Sequence, residues 1–277
     1  MYKGVRIVYM GTPDFAVEPL RKIVEADCNV VGVVTVPDKP AGRGQKIQSS
    51  PVKLYAQEKG LKILQPEKLK SPEFTNELAS LKPDIAVVVA FRMLPESVWS
   101  IPKLGTFNLH ASLLPQYRGA APINWAIING EKKSGVTTFL IDREIDTGKI
   151  IFREEVRIDK DDTAGDLHDK LMVIGADLVL KTIQVLAENK YTPISQHELI
   201  EQDEQIKPAP KIFRDTCRID WSKTVADIHN LIRGLSPYPC AWTELTFDDG
   251  STIQTKIVRS IPIEEKHSLE FGTTQVE

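Results

Sequence analysis

Two side chains able to share the work of acyl transfer stand two residues apart in TFNLHASLLPQYRG, Thr106 to Gly119: the amide of Asn108 and the imidazole of His110. The start of this stretch reads as a strand, on which alternate residues share a face, so Asn108 and His110 point one way while Phe107 and Leu109 point the other. An amide N–H can donate to an oxygen that gains negative charge, and a histidine can take a proton near neutral pH. Transfer of an acyl group to an amine needs both. A carboxylate that could orient the imidazole and favour its charged form is available at Asp146, in LIDREIDTGKI. Each piece has a plainer reading: Asn-x-His can simply face solvent, and Asp-Thr-Gly can be a turn with Gly148 supplying the positive φ. The tripeptide also occurs in aspartic proteases, which need two such carboxylates on an all-β scaffold.

The elements that would position these groups argue against that scaffold. RIVYM, NVVGVVTV, DIAVVVAF and GTFNLH are apolar runs too continuous for strands exposed on one face, and they alternate with helical patterns. They predict an α/β fold with an open, Rossmann-like, mostly parallel sheet, whose ligands bind at the carboxyl ends of the strands, where Asn108 and His110 fall. Asp14 stands where a cap is expected for a helix burying Val17, Leu20, Ile23 and Val24, and Pro72 to Leu81 reads as a second helix. GVTTFLID and KIIFREEV read as a further strand pair, and the pattern from Thr163 to Glu188 supplies a long helix closing a first domain, 1–188. The polar, proline-bearing stretch 189–210 reads as a surface linker. A second unit, 211–277, predicts a helix over Val225 to Arg233 and strands AWTELTF and TIQTKIVRS joined through DDGS.

Composition bounds the function further. Lys and Arg total 35 against 38 Asp and Glu, a net charge of −3, so any affinity for nucleic acid must come from local basic patches. Cys28, Cys217 and Cys240 are odd in number, far apart and without a Cys-x-x-Cys pair, which argues against a disulfide framework and a zinc site; no metal is expected. The amino terminus resembles neither a secretory signal nor a transit peptide, and no long apolar run spans a membrane, so a cytoplasmic location is expected.

Two further motifs bear on ligands. YMGTPDFA follows the first strand like a glycine-rich turn, but Pro13 stands where a dinucleotide site wants its second glycine, which disfavours NAD. Thr35 to Lys53 is a long cationic connection where roughly two to six residues usually suffice. In it Lys39, Arg43 and Lys46 oppose only Asp38 and could contact phosphates, the alternative being a solvated loop. A weaker basic bias in the second unit, from Lys207 to Arg233, can equally be solvated surface.

GTPDFA, PDKPAGRG, NLHASLLPQYRGAAPI, DTG and IRGLSPYPCAW together resemble the methionyl-tRNA formyltransferase family, from Arg6 to Trp242. The resemblance implies a formyl group passed from 10-formyltetrahydrofolate to the α-amine of methionine on initiator methionyl-tRNA, by a chain expected to act as a monomer. It gives Asn108 the oxyanion, His110 the amine proton and Asp146 the task of holding His110 in its working state. It places folate against Ser112, Leu113, Leu114 and Pro115, with Phe91, Arg92, Met93 and Leu94 at the pterin end and the loop from Asp142 to Gly148 closing over it. The loop carrying Lys39, Arg43 and Lys46 would meet the acceptor arm of the tRNA, and the second domain would resemble an oligonucleotide-binding barrel.

The sequence departs from that family twice: Arg92 stands where many members carry glycine, and the chain ends at FGTTQVE where the family continues, so an incomplete carboxyl-terminal domain is expected. The alternatives are a folate-dependent formyltransferase acting on another amine, such as an amino sugar nucleotide or glycinamide ribonucleotide, a folate-dependent hydrolase, and a non-catalytic RNA-binding relative.

Overall fold

The computed structural model describes residues 4–41, 46–263, 265 and 268–274. Its main sheet contains β1 (Arg6–Gly11), β2 (Asn29–Val34), β3 (Ile63–Leu64), β4 (Ile85–Val89), β5 (Thr106–His110), β6 (Lys133–Leu140) and β7 (Ile150–Arg157). Their spatial order is β3-β2-β1-β4-β5-β6-β7. The first five run parallel, and β6 and β7 extend the sheet antiparallel.

Covering on both faces explains the continuous apolar runs. Ile7, Tyr9, Val87 and Phe107 face one buried cluster, and their neighbours Val8, Met10, Ala86 and Val88 face another. The first face is covered by α1 (Val17–Glu25) and by α6 (Ala164–Ala187); α3 (Pro72–Ser80) and α4 (Glu96–Trp99) cover the second. From β1 the chain moves outward to β2 and β3, then returns to place β4 on the other side of β1. A crevice opens at that reversal, outside the carboxyl ends of β1, β4 and β5.

Local signals set most helix starts. Ser50 caps α2 (Pro51–Glu58) and Ser71 caps α3 through their hydroxyls, each with proline at the first position. Thr163 and Asp166 form a reciprocal capping box on α6. The expectation for Asp14 is corrected. A 3-10 turn, Asp14–Ala16, precedes α1, and no side chain caps either element. The carbonyl of Pro13 accepts from Ala16 N at 3.0 Å, so the main chain does what the carboxylate was expected to do.

The 189–210 stretch is not a free connection. Ile194 exchanges two backbone hydrogen bonds of 2.9 Å with Ile150, and a 3-10 turn, Gln196–Leu199, follows. Pro208–Ala209 then runs parallel to Arg118–Gly119, and Ala209 is fully buried. The segment lacks periodicity because its backbone satisfies itself on edges of the first domain rather than within an element of its own.

Beyond it, α7 (Val225–Gly234) packs against α5 (Pro122–Ile128), so closely that a Cβ on Gly234 would lie 2.6 Å from Ile128 Cγ1. The antiparallel hairpin of β8 (Ala241–Thr246) and β9 (Thr252–Ile257) completes a small core of Cys217, Ile219, Ile232, Leu235 and Ala241. Among the described residues no His, Cys, Asp or Glu cluster is placed to hold a metal, and no helix is long and apolar enough to cross a membrane.

Candidate functional site

Asn108 and His110 end β5 on one face, and the structure opens a cavity of about 730 Å³ in front of them. Its floor is Val88 and Asn108 to Ala111, and its walls are Ala90 to Leu94, Gly119 to Asn124 and Ile141 to Asp146. Pro13, Phe15 and His168 stand along another side. The volume lies in the range of small-molecule sites.

His110 is 7% exposed, and its ring is held by a hydrogen bond at one nitrogen while the other faces a carboxylate. Nε2 lies 2.8 Å from the carbonyl of Tyr117. A carbonyl only accepts, so Nε2 carries the hydrogen and Nδ1 is the nitrogen left to take a proton. Nδ1 faces Asp146 Oδ2 at 3.8 Å, beyond hydrogen-bond length but close enough to stabilise a charged ring. The carboxylate is fixed from the other side by Gly119 N, which donates to Oδ2 at 2.9 Å. Asn108 lines the cavity with its Oδ1 buried and unpartnered, leaving Nδ2 as the amide atom open to a ligand. An orphan acceptor of that kind typically costs about 1–3 kcal/mol.

The Asp146 loop is shaped by its own residues. Asp142 Oδ1 accepts from Glu144 N at 3.2 Å and Thr147 Oγ1 at 2.8 Å, turning the chain so that Asp146 comes back over His110. The positive φ, +55°, falls on Asp146 and not on Gly148. Gly148 is required for another reason: a Cβ there would sit 1.7 Å from the carbonyl oxygen of Leu140.

Phe91, Arg92, Met93, Leu94 and Asp142 all line the cavity. Arg92 donates to the carbonyls of Pro66 and Glu67 at 2.9 and 3.1 Å and lies over the Phe91 ring, so its side chain straps the 91–94 segment to the neighbouring loop. Burial lowers its pKa.

Ser112, Leu113, Leu114 and Pro115, which the resemblance placed against folate, are not among the residues lining this cavity. Ser112 and Leu114 are fully buried. Ser112 Oγ donates to the Gln116 carbonyl at 2.7 Å; Thr137 Oγ1 donates to the Ser112 carbonyl and accepts from Leu114 N. Leu114 packs with Phe139 and Ile150. The segment supports the site from behind, because after His110 the chain turns inward before re-emerging at Gly119.

Of the basic loop, Lys39 is exposed on the short strand Lys39–Ala41, which pairs with Lys46–Gln48. Arg43 and the side chain of Lys46 lie outside the described residues. The base of the loop is anchored: Lys53 Nζ donates to Asp38 at 2.5 Å and Gln65 Nε2 reaches both Asp38 and the Val36 carbonyl. Those contacts hold the Asp38 carboxyl below its ordinary pKa. The basic bias of the second unit is partly absorbed internally, since Arg214 and Arg218 both stack on Trp242 and Arg233 is buried.

Sequence reasoning missed three cavity-facing or supporting side chains. His168, in the first turns of α6, meets the Phe15 ring edge-on at 5.3 Å. Asn124 on α5 donates to the Gly234 carbonyl at 2.7 Å and ties the wall to α7. Gln196 is 98% buried behind the Asp146 loop. The only signal for these was a helix-start histidine and two amides without periodic context.

A family profile described as Formyl transferase matches residues 5–183, and one described as Formyl transferase, C-terminal domain, matches residues 211–276. The chain belongs to the formyl transferase family. Within that family it is 57% identical over 271 residues to a methionyl-tRNA formyltransferase of Bacteroides thetaiotaomicron, covering 98% of this chain and 84% of that relative. A methionyl-tRNA formyltransferase of Bacteroides fragilis is 55% identical, with 98% of this chain and 83% of the relative covered. Among solved formyl transferases, the N-formyltransferase of Helicobacter canadensis in complex with folinic acid and dTDP-3-aminofucose is 28% identical. The match has a TM-score of 0.62 over 84% of this chain and 80% of that one. The sugar 3N-formyl transferase WlaRD, solved with dTDP and 5-N-formyl-THF, is 26% identical with a TM-score of 0.65, covering 93% and 86% of the two chains.

Proposed function

We infer that this formyl transferase moves a formyl group from 10-formyltetrahydrofolate to the α-amine of methionine on initiator methionyl-tRNA. The observation that carries the reading is the 57% identity to a methionyl-tRNA formyltransferase, running through both the sheet domain and the α7 unit. The cavity suits a folate donor: it is mostly apolar, it is flanked by Phe91 and Leu94, and it presents the open amide of Asn108.

The amine nitrogen forms a bond to the formyl carbon, the bond from that carbon to the folate nitrogen breaks, and one proton passes from the amine to the leaving nitrogen. An α-amine has a pKa near 8, so at neutral pH a useful fraction is already uncharged, and the protein's work is to position it and stabilise charge. Asn108 Nδ2 donates to the formyl oxygen as negative charge gathers there. His110, its Nε2–H committed to the Tyr117 carbonyl, takes the amine proton on Nδ1 and returns it to the leaving nitrogen. Asp146 faces that same nitrogen and stabilises the charged ring while it holds the proton. No side-chain nucleophile is needed.

Lys39, Arg43 and Lys46 contribute to holding the acceptor arm, with the first domain over 1–188, the bracing stretch 189–210 and the α7 unit over 211–277 acting on one tRNA. A cytoplasmic location fits a tRNA substrate.

The sugar formyltransferases among the solved relatives raise a second reading, an amino sugar nucleotide as acceptor. The deciding experiment supplies labelled 10-formyltetrahydrofolate with initiator methionyl-tRNA, elongator methionyl-tRNA, an amino sugar nucleotide or water. Label confined to initiator tRNA is the expected result; label on the sugar would replace this reading with the second.

A further inference from the structure

Gln196 lies in the polar stretch 189–210, outside the region of the sheet-domain match and fifty positions from the loop it touches. Its side chain is 98% buried, and both ends of the amide are fully engaged. Nε2 donates to the carbonyl of Asp146 and to the carbonyl of Gly148, each at 2.9 Å. Oε1 accepts from Arg118 Nε at 3.0 Å and from Arg118 Nη2 at 2.6 Å. One amide therefore joins the backbone on both sides of Thr147 to the residue preceding Gly119. Gly119 N is in turn the donor that fixes Asp146 Oδ2.

We propose that Gln196, acting with Arg118, is a positioning residue that sets the Asp146 carboxylate against His110 Nδ1. The closed circuit runs from Gln196 to the Asp146 backbone, from the Asp146 carboxylate to Gly119 N, and from Arg118 back to Gln196. Asp146 holds a positive φ in a loop whose regular ladder begins only at Ile150, so its own backbone does not fix its direction. Gln196 itself is anchored by the two Ile194–Ile150 hydrogen bonds immediately before it. Nothing in Gln196 touches the cavity, and its effect passes entirely through Asp146.

This inference rests on the functional reading of His110 and Asp146, and its test separates the two. Gln196→Met keeps the length and removes all four hydrogen bonds. Gln196→Glu keeps an acceptor for Arg118 and turns the two loop contacts into oxygen against oxygen. Both are measured in the full chain, alone and with Asp146→Asn, by formyl transfer to initiator methionyl-tRNA and by the ring-nitrogen signals of 15N-labelled histidine, with His110 assigned by its loss in His110→Gln.

The expected result is a kcat about 10-fold or more lower for both variants, KM values for donor and acceptor within about 3-fold, and a displaced His110 signal. In the Asp146→Asn background the same substitutions should lower kcat less than about 2-fold. Equal losses in the two backgrounds, an unmoved His110 signal, or variants that fail to fold at all would overturn the proposal, the last by making Gln196 a general support of the domain. If the unaltered chain transfers no formyl group, the functional reading fails, while the histidine spectra still decide whether Gln196 sets the pair.

Discussion

Replacing Asp146 by Asn isolates the charge of the carboxylate from its shape. The Asn side-chain oxygen can still accept from Gly119 N, so the loop should keep its path, and the variant differs chiefly in what His110 Nδ1 faces. Two unit charges 3.8 Å apart interact by about 1 kcal/mol at a dielectric of about 80 and about 4 kcal/mol at about 20. With His110 and Asp146 only 7% and 13% exposed, the second figure is the nearer. If the ring holds a full positive charge at the barrier, losing that attraction corresponds to a kcat about 100- to 1,000-fold lower, at about 1.4 kcal/mol per decade. Neither partner is at the surface, so the ratio of mutant to wild-type kcat should hardly change between low and high salt. The assay is single-turnover formyl transfer at saturating donor and acceptor, beside a denaturant titration to verify that stability is retained. A kcat within about 3-fold of wild type, in a folded variant, would refute the assignment of a charged His110 stabilised by Asp146.

Gly148→Ala should fold poorly, since its Cβ would sit inside contact distance of the Leu140 carbonyl oxygen; a loss of about 3 kcal/mol or more is expected in urea unfolding, and a near-neutral result would contradict the tight approach. His229 has a pKa lowered by burial and then by Arg233, so the unfolded chain binds its proton first as pH falls. Stability contributed by the neutral ring is therefore present above about pH 6.5 and lost on acidification, and His229→Gln should flatten that part of the unfolding profile between pH 7 and 5.5. Lys39→Ala should raise KM for methionyl-tRNA, leave KM for the folate donor unchanged and reduce the salt slope of tRNA binding by about one, as filter retention at several ionic strengths would show.

The parallel strands were legible because sheet covering on both faces forces continuous apolar runs such as Ile85 to Val89, and α6 was legible from its long helical pattern between Thr163 and Glu188. The shared face of Asn108 and His110 followed from the two-residue period of a strand. Legibility stopped where the backbone stopped repeating. Nothing local tells that the chain after His110 dives beneath the site; the family resemblance put folate against Ser112 to Pro115, whereas Gly119 to Asn124 form the cavity wall. In Asp-Thr-Gly, the residue with the positive φ and the residue with no room for a side chain are different ones, and residue type alone assigns both to glycine. Gln196 was unreadable for a related reason: its partners on the Asp146 loop are backbone carbonyls, which every residue possesses, and its other partner, Arg118, lies 78 positions away.

The pairing of Pro208–Ala209 with Arg118–Gly119 has a bearing on how such chains can be recombined. The carbonyl of Ala209 accepts from Ala120 N at 2.8 Å and Ala121 N at 3.2 Å, and the Pro210 carbonyl accepts from the Trp125 indole, so the cavity wall at Ala120 and Ala121 is braced from outside by chain that follows α6. A chimera spliced at the end of α6, to graft a foreign acceptor-recognition module, would inherit a sheet with a loosened rim. A splice just after Pro210 keeps donor and rim from the same parent, which makes that junction the natural seam for swapping acceptors without redesigning the chemistry.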